Sequence, residues 1–290
     1  MFMSILAWVE WWRHPSVKAL VFEAYSRMSS LMLQMLPAQP EESQNAVYTH
    51  ATLSWHEPIL IATVACLQLL AEPWFYAVKG NHEDMFLELF MPYLLNNKLP
   101  SPNDFYYSGL MDNGGEWVKD YINEAQQAMS TEFDKALELV AKMPLIYIVG
   151  EGDQRFHVIH AELTKSRTHE ADNVVFVDAD IDEFFINQAL FFDIEDRLYW
   201  SRSLMKSSVA DFCYPSVKKG LSTTFCGHTI AKIIRQKLSH VCLDTGAFMS
   251  LDTANDYGLV LYDVKESQYF TTSYQQNTVR KVRHPIAKIP

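Results

Sequence analysis

The run Trp74-Phe75-Tyr76-Ala77-Val78 leads through Lys79 straight into Gly80-Asn81-His82-Glu83. Aromatic and β-branched residues closed by a glycine predict a buried strand. Polar groups delivered at the carboxyl end of a strand lie where open α/β sheets place their sites. The pattern recurs: His160-Ala161-Glu162 follows a predicted strand over Arg155 to Ile159, and Gly227-His228-Thr229 follows one over Thr223 to Cys226. Trp200-Ser201-Arg202-Ser203 forms a fourth polar cluster. Imidazole is the commonest metal ligand near neutral pH, and an amide carbonyl adds a hard oxygen donor, so together these clusters suit a metal site. Singly, each histidine reads as a hydrogen-bonded core or surface residue.

Around these clusters the chain alternates. Helices are expected over Val17 to Leu36, Ile61 to Leu70 and Glu83 to Leu95, with a loop at Pro37 to Ser43. Trp117, Tyr121, Ala125, Met129, Phe133 and Leu137 recur every four residues and predict one long amphipathic helix ended by Pro144. Leu145 to Val149 and Arg155 to Ile159 read as a hairpin across Gly150-Glu151-Gly152-Asp153. Further strands are predicted at Val174 to Val177, Thr223 to Cys226, His240 to Leu243 and Gly258 to Tyr262, and Asp178 to Glu183 reads as an exposed acidic turn without EF-hand spacing. Mingled strands and helices favour α/β or α+β over a helical bundle.

Composition bounds the partners. The 290 residues are 49% hydrophobic and 20% charged, enough for a core and unlike a disordered chain. A formal charge of -11 disfavours nucleic acid and anionic membranes as partners, while local arginine and metal charge still permit an anionic substrate. Cys66, Cys213, Cys226 and Cys242 lack any C-x-x-C spacing and read as core thiols of a reducing compartment. The apolar start, Met1 to Val9, lacks a basic flank and a cleavage pattern, and Ile59 to Ala71 is too short to span a bilayer, so a cytoplasmic location is expected. No nucleophile elbow or phosphate-binding glycine loop occurs.

The ordered set of motifs resembles the metal-dependent serine/threonine phosphoprotein phosphatases of the bacterial and phage-lambda type, within the calcineurin-like metallophosphoesterases. Trp74 to Glu83 resembles that branch's third motif. Asn113 to Trp117, Met143-Pro144-Leu145, Val158 to Glu162, Trp200-Ser201-Arg202, Gly227-His228-Thr229 and Asp244-Thr245-Gly246-Ala247 follow in the family's order, over roughly Ala65 to Tyr262. The resemblance implies an α/β fold, a metallophosphatase-like sandwich of two mixed β-sheets flanked by helices. It implies that Asn81, His160 and His228 hold a metal ion, that His82 protonates the leaving alcohol, and that Arg202 clamps phosphate, with Lys79 beside it. Asp244 would orient a metal-binding histidine. The implied ion is divalent, manganese first, with iron, zinc or magnesium as substitutes. The family uses two such ions in an in-line displacement without a phosphoenzyme.

Departures are as informative. The family's first two motifs, Gly-Asp-x-His-Gly and Gly-Asp-x-x-Asp-Arg-Gly, are absent. Aligned without gaps back from Cys66, Trp55 stands in place of the bridging aspartate and Pro58 in place of the aspartate that partners the acid histidine. Lys79 stands where relatives carry arginine, and an ammonium is no bidentate clamp. Three explanations remain open: a degenerate phosphatase with one metal or none, surrogate ligands from His14, His56 and Glu57, or a shifted reading frame before Cys66. One domain is expected, divided into a divergent segment 1–64, a phosphatase-like region 65–265 and a C-terminal tail 266–290. The expected activity is phosphomonoester hydrolysis on a phosphoprotein or a small phosphomonoester. The alternatives are a catalytically inactive binding module and an esterase acting on nucleotides or dinucleoside polyphosphates.

Overall fold

The structure is a computed structural model. It describes residues 6–9, 46–49, 75–113, 115–123, 128–165, 175–186, 194–206, 214–246, 260–264, 267–273 and 278–282. The helices expected over 17–36 and 61–70, the loop at 37–43, and His14, His56 and Glu57 lie outside these residues.

Two sheets organise the described chain. The first holds six strands in the order β13-β12-β11-β2-β1-β3: Thr278–Val282, Gln268–Ser273, Val260–Asp263, Ala46–Thr49, Leu6–Val9 and Phe75–Ala77. Every pairing in it is antiparallel, which corrects the expectation that both sheets are mixed. Segment 1–64 thus contributes β1 and β2, and the stretch read as a tail contributes β12 and β13. The second sheet is mixed, in the order β6-β7-β8-β10-β9: Ile146–Val149, Phe156–Ile159, Thr223–Cys226, His240–Cys242 and Arg235–Lys237. Its three central strands run parallel and its outer pairs antiparallel.

Alternation along the mixed sheet assigns its two faces. Phe156, Val158, Phe225 and Val241 point one way and share a core with Val78 and with Val260 and Tyr262 of β11. Ile146, Ile159, Cys226 and Cys242 point the other way, onto Ile181 and Phe184 of α4 (Asp178–Ile186) and Leu198 of α5 (Glu195–Trp200). A third cluster joins α1 (Asn81–Asn96), α2 (Phe105–Asp112) and α3 (Thr131–Ala141) through Phe86, Leu89, Phe90, Leu110, Phe133 and Leu137.

Three expectations change. The four-residue stripe is not one helix: Gly115–Tyr121 is a 3-10 turn, β4 (Ile122–Asn123) pairs with β5 (Ala128–Met129), and α3 starts afresh behind Ser130. The Ser130 hydroxyl accepts the Phe133 N–H at 3.3 Å, and the Met129 N–H donates to the Tyr93 hydroxyl at 3.1 Å, so both groups turn away from a continuing helix. Met129, Phe133 and Leu137 are buried all the same. The strand expected over Val174 to Val177 reduces, in its described part, to a bridge between Val175 and Thr164. The acidic run from Asp178 is the first turn of α4. There the Asp180 carboxylate accepts the Val177 N–H at 2.9 Å, while Asp178 accepts both the N–H and the hydroxyl of Ser222.

Candidate metal and phosphate site

Each candidate ligand stands at an element boundary. Strand β3 leads into Gly80, which precedes α1, so Asn81 and His82 occupy that helix's first turn rather than a loop. The buried Glu83 carboxylate accepts the Gly80 N–H at 2.8 Å and fixes the turn. His160 directly follows β7, and its carbonyl accepts the Gly227 N–H at 2.8 Å, tying the ends of β7 and β8 together. His228 follows β8 with φ 63, in the left-handed region. It sits at the centre of a three-residue turn closed by the Thr229 N–H on the Gly227 carbonyl at 2.7 Å. A side-chain-bearing residue held there is strained, and such strain concentrates at functional sites.

The three side chains converge. His160 Nε2 lies 2.9 Å from Asn81 Oδ1 and 3.0 Å from His228 Nδ1. The close fit explains Gly80: a Cβ there would stand 2.6 Å from His160 Nδ1. All three candidate donors are buried; burial first, then the neighbouring His228, His82 and Arg202, pushes the His160 imidazole well below its usual range, and burial with Arg202 pushes His228 down to about 3. Both rings are therefore neutral, the form that binds metal.

Proton bookkeeping shows what the trio lacks. Arg202 Nε donates to His228 Nε2 at 2.9 Å, so the proton of the neutral His228 ring belongs on Nδ1, facing His160 Nε2. His160 Nε2 and Asn81 Oδ1 then oppose each other as acceptors. Placing the proton on His160 Nε2 instead moves the His228 proton to Nε2, against the Arg202 N–H. In this orientation no neutral arrangement satisfies all three contacts. Three lone pairs aimed at one cation do satisfy the trio, and donors about 2.1 Å from a cation at right angles stand about 3.0 Å apart. The donor set fits a divalent ion, and the fit requires Arg202 to release His228. Among the described residues no three of His, Cys, Asp or Glu gather at a metal-binding point; here the third donor is an amide.

The remaining expected residues divide. His82 is buried and lies within electrostatic reach of His160, His228 and Arg202, with burial foremost in pushing it down to about 3. The terminal nitrogens of Arg202 meet no partner among the described residues, and Trp200, two-fifths exposed, packs edge-on to His228 at 6.0 Å. The Asp244 carboxylate accepts the Gly246 N–H at 2.9 Å and the backbone N–H of His228, so it braces the strained turn through the main chain rather than the ring. Contacts of Lys79 lead elsewhere: its N–H donates to the Pro144 carbonyl, and its charge acts on Asp84. Sequence reasoning gave no part to Gly80, whose signal was its place before Asn81, nor to Glu162, whose signal was its place beside His160.

No protein-family model matches the chain. Serine/threonine-protein phosphatase 2 of Salmonella typhimurium strain LT2 is 30% identical to it over 184 residues, covering 63% of this chain and 67% of that protein. The chain belongs to this phosphatase family. A solved cold-active protein tyrosine phosphatase aligns over 84% of this chain and 95% of its own at 8% identity, with a TM-score of 0.28, too low to support any argument about fold.

Proposed function

We propose that the chain is a metal-dependent phosphomonoester hydrolase of the metallophosphoesterase type, acting on phosphoserine or phosphothreonine of proteins, with manganese the ion of choice. The observation that carries this reading is the placement of His160 Nε2 within 3.0 Å of both Asn81 Oδ1 and His228 Nδ1, with Arg202 on the far nitrogen of His228. A bound divalent cation supplies Lewis-acid polarisation of a phosphoryl oxygen. The chain's own residues do the rest. Arg202 presents a planar fork to the phosphate oxygens once it leaves His228. His82, next to Asn81 in the first turn of α1, would protonate a leaving alkoxide, and an arriving dianion favours its charged form.

The experiment is turnover of p-nitrophenyl phosphate by the purified chain with Mn²⁺. His82→Asn should lower kcat by about a hundredfold, the usual share of general acid catalysis, while Mn²⁺ affinity stays as it was. Equal turnover by wild type and His82→Asn removes the acid role.

A second reading has one observation in its favour: Trp55 and Pro58 replace the second motif's carboxylates. An indole bridges no metals, so the chain would be a phosphatase-fold module that binds phosphorylated protein without hydrolysing it. Phosphate binding without turnover at any metal loading selects this reading.

A further inference from the structure

Glu162 is fully buried two residues after His160 and is absent from the metal trio. Its carboxylate takes four donors, all from residues 201 to 205. Oε2 accepts the Ser201 hydroxyl at 2.8 Å, the Ser203 hydroxyl at 3.4 Å and the Leu204 N–H at 2.9 Å, and Oε1 accepts the Met205 N–H at 2.8 Å. None of the donors is a cation. A buried carboxylate is costly to desolvate, and here neutral donors of one short segment do all the compensating.

That segment carries Arg202 between the two serines. Its opposite side is held as well: Arg235 donates to the Met205 carbonyl at 2.6 Å and Lys237 to the Leu204 carbonyl at 3.0 Å. Thr164 adds a hydroxyl contact to Ser201 at 3.1 Å, and the Ala161 N–H reaches the Leu198 carbonyl at 2.9 Å. Residues 160 to 164 therefore fix, in one stretch, a metal-ligand candidate and the loop that aims the guanidinium. The side chain of Arg202 makes a single described contact, to His228, so its direction depends on its backbone.

We propose that Glu162 is a positioning residue for phosphate: by holding the 201–205 turn it aims Arg202 over the His160 and His228 pair, without touching the substrate. This rests on the phosphate-site reading above. Amide substitution leaves one acceptor and adds an NH₂ against donors, so Glu162→Gln loosens the turn while preserving its bulk.

The test is a double-mutant cycle on binding of inorganic phosphate to the Mn²⁺-loaded chain, by calorimetry, with Mn²⁺ affinity measured alongside. Glu162→Gln should weaken phosphate about tenfold, and its effect should vanish in the Arg202→Ala background, because contacts acting through one another are not additive. Mn²⁺ affinity should stay within about twofold. If Arg202→Ala weakens phosphate but Glu162→Gln does not, or the two losses add in full, the positioning role is overturned and the phosphate site stands. If Arg202→Ala leaves phosphate binding unchanged, the site reading falls and the role of Glu162 with it. Should Glu162→Gln fail to fold, Ser201→Ala takes its place in the same cycle. Its smaller loss should likewise disappear without Arg202, and persistence of that loss overturns the proposal.

Discussion

At the scale of single residues, Gly80 and His228 decide whether the trio forms. Gly80 contributes by lacking a side chain, since any Cβ meets three atoms of the His160 ring between 2.6 and 2.9 Å. Gly80→Ala should therefore displace that imidazole, lowering Mn²⁺ affinity about tenfold and stability by about 1–3 kcal/mol, the usual cost of overpacking. Calorimetry and urea unfolding measure the two effects; wild-type Mn²⁺ binding by Gly80→Ala would contradict the close fit. Asn81, His160 and His228 could be singled out as candidate donors because each comes just after a short apolar strand. Their support could not. The γ-turn at His228 and the Asp244 brace depend on backbone angles and on contacts between segments distant in sequence, and no local pattern encodes either.

At the scale of elements, strands were easier to read than helices. Short β-rich runs at 146–149, 156–159, 223–226 and 240–242 carry their own signal in aromatic and β-branched residues. The stripe from Trp117 to Leu137 misled because burial at a spacing of four arises from a turn, a hairpin and a helix in succession as readily as from one helix. Ser130 marks the true start, and Ser130→Ala should cost about 1 kcal/mol in urea unfolding through loss of the cap; an unchanged midpoint would mean that the serine is idle. The acidic run at Asp178 was misread because carboxylates that cap a helix look the same in sequence as carboxylates facing water.

Strand β7 also carries a pH dependence into α4. Arg155 Nε donates to His157 Nε2 at 3.2 Å, so the neutral ring presents its Nδ1 proton to the Thr224 hydroxyl at 3.1 Å, which in turn donates to the Ser222 carbonyl. Asp178 lies 3.8 Å away, and Arg155 also pairs with Asp182. Burial outweighs both carboxylates and lowers His157 to about 4. The unfolded chain takes up a proton near 6.5 that the folded chain refuses until about 4, so this contribution is complete above pH 6.5 and is lost as pH falls toward 4. His82, His160, His228 and His240 act with the same sign. Urea midpoints should fall between pH 7 and 5, and His157→Gln should remove part of that slope, on the order of 2 kcal/mol. Midpoints level across this range would contradict it.

At the scale of the whole molecule, the mixed sheet delivers His160 and His228 just past the ends of its neighbouring strands β7 and β8, while the antiparallel sheet packs on its other face and leads through β3 to Asn81. Phosphatase membership was legible in the order of motifs spread over two thirds of the chain, and the topology of the antiparallel sheet was not, because β2 pairs with β11 across more than two hundred residues. The most direct test of the central claim is Mn²⁺ titration of the full chain by calorimetry, wild type against His228→Ala. Saturable binding by wild type that weakens at least about tenfold on losing one ligand is the result expected of a true coordination site. Equal binding by the two proteins, or none by either, would contradict it.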